Sequence, residues 1–214
     1  SQPATIHDFG GFPEALYRMT YPAPGSPDLA RRAASLLREG GVAVALDETR
    51  GLDHGAWIPL MLMFPEHDIP VVQMSLTTSE DPAFYERVGA LLRPLRDEGV
   101  LIVASGSASH NLHAYFTAAA STPAPDWVEA FVQWLAGVVE SKDRSTLRRY
   151  KTDAPFAQRN HPTQEHFLPI FVALGAARED ESASRIHQSF DRGVLAMDAF
   201  AWGDMGEQTV GRMR

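Results

Sequence analysis

The 214-residue chain contains no cysteine, which removes disulfide cross-links, thiolate nucleophiles and thiolate metal ligands together. Any metal ion has to be held by His, Asp or Glu. No run of about twenty apolar residues is present to span a bilayer, and no basic segment followed by an apolar one marks a secretory leader. Positive charge is scarce as well. With 19 Lys and Arg against 27 Asp and Glu, the net charge is −8, and phosphate neutralisation needs clustered cations. These absences argue against nucleic acid and membrane as partners and point to a cytoplasmic enzyme. Nucleotide-phosphate sites have no support either, since neither GxxxxGK[ST] nor a strand–GxGxxG–helix unit occurs. The chain opens SQPATIHDFGGFP, without a methionine.

The segments that are present alternate in type. Ser26-Pro27 reads as an N-cap and first helical residue, predicting a helix from Pro27 to Glu39 that Gly40-Gly41 ends. VAVAL at 42–46, IPVVQMSL at 69–76 and VLIVASG at 100–106 are short, apolar and partly β-branched, as buried parallel strands are. Asp81-Pro82 opens a helix running to about Asp97, with Pro94 predicting a kink or an early end. PDWVEAFVQWLAGVVE, 125–140, has helical periodicity, with Trp127, Phe131, Trp134, Leu135 and Val138 as core residues, and a shorter charged helix follows near 143–151. Pro162 and Thr163 introduce a helix carrying His166 in its first turn. RIHQSF and VLAMDAFAW read as an antiparallel pair joined by a tight Asp-Arg-Gly turn, and the tail beyond Gly203 is polar. The expected fold is therefore α/β: one domain, residues 1–214, with a mostly parallel central sheet flanked by helices and an antiparallel edge hairpin near the C-terminus.

Eight histidines are the main chemical resource. The ordinary reading of any lone histidine is a hydrogen-bonded structural residue, and His67 and His187 stay with it. The sequence does not decide whether His113 faces a site. His54, in the loop GLDHGAW, His110, in SASHNLH after a strand, and His166, beside Glu165 at a helix start, share a different context. Strand ends and helix starts are where open α/β sheets assemble ligand sites, and neutral imidazole both binds metals and exchanges protons near pH 7. No pair shows HExxH-type spacing. ASGSASH lacks the GxSxG order of a nucleophile elbow, so a hydrolase, either metal-dependent or using Ser107 or Ser109 with His54 or His110, is a weaker alternative, and for the serine type no aspartate is clearly placed to orient the base.

Four segments, IHDFGGFPEALYRMTYPAPGSP, GLDHGAWIPLMLMFPEHDIPVVQMSL, VLIVASGSASHNL and HPTQEHFLPIFVALGAA, resemble in order and spacing the class III extradiol ring-cleavage dioxygenases, in the branch of the 4,5-DOPA dioxygenases. The resemblance implies a non-haem Fe(II) enzyme that opens the ring of a catechol, a small aromatic diol, with O₂; Zn(II) can occupy the same nitrogen ligands without exchanging electrons with O₂. It implies that His166 and His110 are metal ligands, His110 also serving as an acid/base. It further implies that His54 is a catalytic residue acting on substrate or oxygen, and that His7 lies on the substrate side. Glu165 is a further ligand candidate, because related enzymes place a carboxylate on the metal.

The same resemblance implies two more ligand histidines, in HGSP and AHW segments that would precede residue 1. They are expected in an N-terminal segment outside this sequence, rather than on a separate chain or lost. Were they absent, the chain would be a catalytically inactive binding or subunit-type relative. Which catechol is used, and whether the protein is a homo-oligomer, are not legible.

Overall fold

Short polar side chains cap five of the ten α-helices among the described residues. The computed structural model describes residues 2–203, and in it Ser26 accepts the Leu29 amide at the head of α1 (Pro27–Glu39), with Pro27 at the first position. Asp53 does the same for α2 (His54–Met63), through the Ala56 amide. Asp81 caps α3 (Pro82–Leu92), and Pro94, which has no N–H to give, restarts the chain as α4 (Pro94–Asp97). Asn111 caps α5 (Leu112–Thr117). Pro125 precedes α6 (Asp126–Glu140), and Asp143 caps α7 (Arg144–Arg148), which is followed by α8 (Tyr150–Asp153), α9 (Ala157–Asn160) and α10 (Pro169–Ala176). A 3₁₀ turn, Glu14–Arg18, lies near the N-terminus.

The described chain divides into two compact units, residues 1–78 with 94–101, and 79–93 with 102–214. In the first, Tyr21, Ala23, Leu52 and Trp57 form a buried cluster flanked by Phe9, Leu16, Ile58 and Val71. In the second, α6 contributes Trp127, Val128, Phe131, Val132, Leu135 and Val139 to the core, while Trp134 and Val138 are half-buried. Phe167 and Phe171 pack against Phe131 and Tyr150. Helices α3 and α10 meet almost backbone to backbone: a Cβ on Gly89 would stand 2.0 Å from the Val172 carbonyl oxygen, and one on Gly175 would stand 1.9 Å from that of Glu86.

The mostly parallel central sheet is not what the described residues form. Residues 42–46, 69–76 and 100–106 build no ladder, and the only parallel pairings among the described residues are the single bridges Thr5–Leu52 and Gly25–Val71. An apolar run marks an extended backbone, but a ladder also needs a neighbour of matching register, which no local pattern supplies. In 42–46 and 71–74 exposure broadly alternates, with Val42, Val44, Val71 and Gln73 half-buried and Ala43, Ala45, Val72 and Met74 exposed.

The antiparallel pair does form, as two short sheets. Strand β1 (Ala183–His187) pairs with β4 (Ala199–Trp202), and β2 (Phe190–Asp191) with β3 (Leu195–Ala196). The turn between β2 and β3 uses Arg192 and Gly193, both at positive φ (49° and 67°), the backbone that a tight hairpin demands. The Arg185 guanidinium meets the fully buried Asp198 carboxylate across the outer pair. Burial raises the Asp198 carboxyl, and Arg185 only partly offsets it. The polar tail expected beyond Gly203 lies outside the described residues.

Candidate functional site

The histidines singled out by the sequence fall into two groups, one in each unit. In the second unit, the rings of His110 and His166 lie in parallel contact, centroids 3.5 Å apart and planes 14° from one another. Their backbones are tied too. Ser107 N–H donates to the His166 carbonyl (2.8 Å), and His110 N–H donates to the Asn160 carbonyl (2.8 Å). Gly106 permits this approach, because a Cβ there would stand 2.3 Å from the His166 carbonyl oxygen.

His166 is not in the first turn of a helix as the sequence suggested. It sits in the turn before α10, where Phe167 N–H and Leu168 N–H both donate to the Gln164 carbonyl and the helix begins only at Pro169. Proline suits that position since its missing N–H would be unbonded in the first turn anyway. Its neighbour Glu165 lies with Oε1 3.4 Å from His166 Nδ1 and accepts the Thr163 hydroxyl at 2.7 Å. Burial pushes the Glu165 carboxyl up, but the Thr163 hydrogen bond, its own backbone and the two histidines more than offset this and hold it below its ordinary value.

His161, which no motif in the sequence sets apart, is fully buried. Its Nε2–H donates to the Ala108 carbonyl at 3.0 Å, and its ring packs on Phe167 and Phe131. Burial drives its pKa down to about 4, so it is a neutral clamp. Ser109, also fully buried, donates to the Val194 carbonyl (2.7 Å) and accepts the Ala196 amide (2.8 Å). Ser107 donates its hydroxyl to the Ser109 carbonyl. Ser109 is thereby a structural tie between the His110 loop and β3, and its burial counts against a nucleophile. The one local signal for these roles was the HPT of HPTQEHFLP, which reads equally well as a helix entry.

In the first unit, His54 is the first residue of α2 rather than a loop residue, because Asp53 before it serves as the N-cap. His54 Nδ1 lies 2.7 Å from Asp8 Oδ1, and the His54 backbone N–H donates to that same oxygen at 3.1 Å. Burial alone would raise the Asp8 carboxyl, but the hydrogen bonds from His54 hold it below its ordinary value. Phe9 meets the His54 ring edge to face at 5.7 Å. His7 donates Nε2–H to the Met19 carbonyl (3.0 Å) and packs against Phe9 and Trp57. Trp57, buried, donates to the Ile6 carbonyl (2.9 Å). Asp8 was missed in the sequence although it is adjacent to His7, because nothing local says that residues 8 and 54 meet.

The remaining histidines behave as structural or surface residues. His67 occupies a left-handed turn position at φ 43°, His187 is bonded to the Ser189 hydroxyl at 2.7 Å, and His113 is exposed on α5.

A half-buried, backbone-tied imidazole pair in one unit and a carboxylate–imidazole pair beside aromatic rings in the other are features of an enzyme built on histidine. The chain belongs to the family described as the catalytic LigB subunit of aromatic ring-opening dioxygenase, which it matches over residues 1–197. The match therefore draws on both units. Among its relatives is a protein named 4,5-DOPA dioxygenase extradiol from Beta vulgaris, 45% identical over 197 residues, which cover 92% of this chain and 73% of that one. A protein of the same name from Escherichia coli (strain K12) is 41% identical over 202 residues, 91% of this chain and 72% of that one. The crystal structure of an uncharacterised Escherichia coli K12 protein superposes with a TM-score of 0.77 at 34% identity, covering 93% of this chain and 80% of that one.

The family implies a metal, and the donor chemistry here can be tested for it. His110 and His166 present two imidazole donors side by side, their ring centroids 3.5 Å apart, whereas imidazoles bonded to one tetrahedral ion at 2.0–2.1 Å have centroids about 5 Å apart. With the planes only 14° apart, the rings have to splay for both lone pairs to converge. They fit as two imidazole ligands of a borderline cation such as Fe(II) or Zn(II). Among the described residues no group of three or more His, Asp or Glu is arranged to hold an ion.

Proposed function

We propose that the protein is a metal-dependent extradiol dioxygenase that cleaves a catechol of the DOPA type with O₂, with residues 1–214 acting as one catalytic domain. The observation that carries this reading is the stacked His110–His166 pair, locked to its scaffold by the Ser107–His166 and His110–Asn160 backbone bonds, in a chain of the LigB family. His110 and His166 would hold the ion, with Glu165 as a neighbouring carboxylate. When bound, Fe(II) supplies Lewis acidity toward the diol oxygens and electrons toward O₂. Zn(II) on the same nitrogens supplies only the first.

The chain's own residues account for proton handling. A catechol has to lose at least one proton to bind through both oxygens, and ring opening has to return one. His54 does this work in our reading, because an imidazole can take a proton on one ring nitrogen while the other is hydrogen-bonded. His7, Phe9 and Trp57 form an aromatic wall suited to a flat ring.

The wider placement belongs to the same proposal. Among the described residues no helix is long and apolar enough to cross a membrane. The cysteine-free, acidic composition supports a cytoplasmic location.

The test is oxygen consumption and the appearance of a yellow ring-opened product when Fe(II)-loaded protein is given a panel of catechols, DOPA included. Activity is expected with Fe(II), and none with Zn(II). An Fe(II)-loaded protein that consumes no O₂ with any catechol overturns the reading. Cation titration followed calorimetrically supplies a second readout: His110→Ala and His166→Ala should each weaken Fe(II) or Zn(II) binding by tenfold or more, roughly the loss of one ligand.

A further inference from the structure

We infer that Asp8 is a positioning residue for His54: its carboxylate fixes the His54 ring in the Nδ1–H tautomer and one rotation, leaving Nε2 as the basic atom that exchanges protons with a substrate hydroxyl. This inference rests on the proton-transfer role proposed above for His54.

The geometry carries it in three steps. An ionised carboxylate only accepts hydrogen bonds, so the 2.7 Å contact between Asp8 Oδ1 and His54 Nδ1 requires the hydrogen to sit on Nδ1. A neutral imidazole has one N–H, so its remaining lone pair is on Nε2. The same Oδ1 also accepts the His54 backbone N–H at 3.1 Å, so one oxygen holds both the main chain and the ring of a single residue and leaves little freedom for rotation about the side chain.

The surroundings keep the carboxylate charged and close. Asp8 approaches the N-terminus of the ten-residue helix α2, where unpaired amides favour an anion. Phe9, next in sequence, packs its ring edge to face with His54. The other titratable groups around the pair are separately engaged. His7 is bonded to the Met19 carbonyl, Tyr17 donates to the Phe9 carbonyl, and Asp53 is held by Arg50 at 3.2 Å and by Gln73. Asp8 is thus the one carboxylate with a direct bond to the His54 ring among the described residues.

The proton step balances simply. The substrate O–H bond breaks with its electron pair remaining on oxygen, and the proton forms an Nε2–H bond. The resulting imidazolium is stabilised by the Asp8 carboxylate on its far nitrogen, as aspartate supports histidine in hydrolytic triads. The reverse transfer returns the proton as the ring opens.

Two readouts on the full chain test this. The first is the tautomer of His54, read from long-range ¹H–¹⁵N NMR correlations and assigned by their loss in His54→Gln. The wild type should show Nδ1–H; an Nε2–H wild type overturns the inference without any variant being made. The second compares Asp8→Asn, His54→Gln and the double variant in the Fe(II)-loaded enzyme. Asp8→Asn should mix or invert the tautomer and lower kcat by about 10²-fold or more, the low end of what acid–base catalysis supplies, with KM changed far less. Its acidic pH limb should move to lower pH, because the imidazolium has lost its anionic partner. Adding Asp8→Asn to His54→Gln should change kcat no further, whereas a merely structural role for Asp8 would still lower it.

Failures separate cleanly. A His54 that keeps Nδ1–H in Asp8→Asn overturns the inference at Asp8 and leaves the role of His54 standing. A lost tautomer with unchanged kcat overturns it through His54, and with it the proton-transfer part of the proposed function.

Discussion

His161 shows how a residue outside the reacting groups can still govern where they sit. Its ring is fully buried and its Nε2–H is spent on the Ala108 carbonyl, two residues before His110. With its pKa at about 4 when folded, against an ordinary 6.5, the unfolded chain takes up the proton first as pH falls. The sign is then fixed: the contribution is complete above pH 6.5 and is lost between 6.5 and about 4, amounting to about 3 kcal/mol. Urea unfolding of metal-free protein across that window should show this loss. His161→Gln keeps an amide donor but does not titrate, so its stability should fall less steeply there; an unchanged slope would remove His161 as the cause. Residues such as His54 and His166 were legible because each sits in a short motif with turn or helix-start neighbours. Asp8 and His161 were not, since their roles depend on partners 46 and 53 positions away.

At the scale of elements, the crossing of α3 and α10 is made by absent side chains. Gly89 and Gly175 each bring a backbone against the other helix's carbonyls. Gly175→Ala places a methyl where Glu86 O stands 1.9 Å away. The gain of up to about 1 kcal/mol in helix propensity is then outweighed by overpacking of about 1–3 kcal/mol, for a net loss. Gly137 in α6 is the matched control, as its Cβ would meet nothing within 4 Å. Gly137→Ala should therefore stabilise the protein, and thermal unfolding should move the two variants in opposite directions. If both rise, the close crossing is wrong. Helices α1, α3 and α6 were readable from sequence because their signals are local, Ser26 and Asp81 capping within three residues, whereas α2 and α5 were not read as helices. The hairpin was readable for the same reason, through the Asp-Arg-Gly turn. Residues 42–46, 69–76 and 100–106 carry the apolar pattern of strands without forming a ladder among the described residues, since pairing is fixed by distant chain.

For the molecule as a whole, family membership was recoverable from motif order alone, because IHDFGGFP, DHGAW, SHNL and EHFLP keep their sequence and spacing even where the strands between them do not pair. The division into two units was not recoverable. No linker, change of composition or repeat marks it, and the chain passes between the units three times, at 78–79, 93–94 and 101–102. That path makes each unit discontinuous in sequence, so a cut in the 79–93 region would separate pieces of one unit rather than release a domain.

The contrast between the backbone-packed crossing and the unladdered segments also has a signature in time. Amides inside α3 and α10 are bonded along their helices and shielded by the opposing backbone, so they open only in large, rare fluctuations. Those of 43–46 and 72–74 lack a ladder among the described residues and open at little cost. In deuterated buffer, peptides from 42–46 and 69–76 should therefore label within seconds to minutes, and those spanning Val88–Leu92 and Phe171–Ala176 over hours or longer. Equal labelling of both sets would refute the contrast. If addition of Fe(II) or Zn(II) slows exchange around residues 106–110 and 161–168 without slowing it in α3 and α10, the clock would report the cation's anchorage directly, with no turnover required.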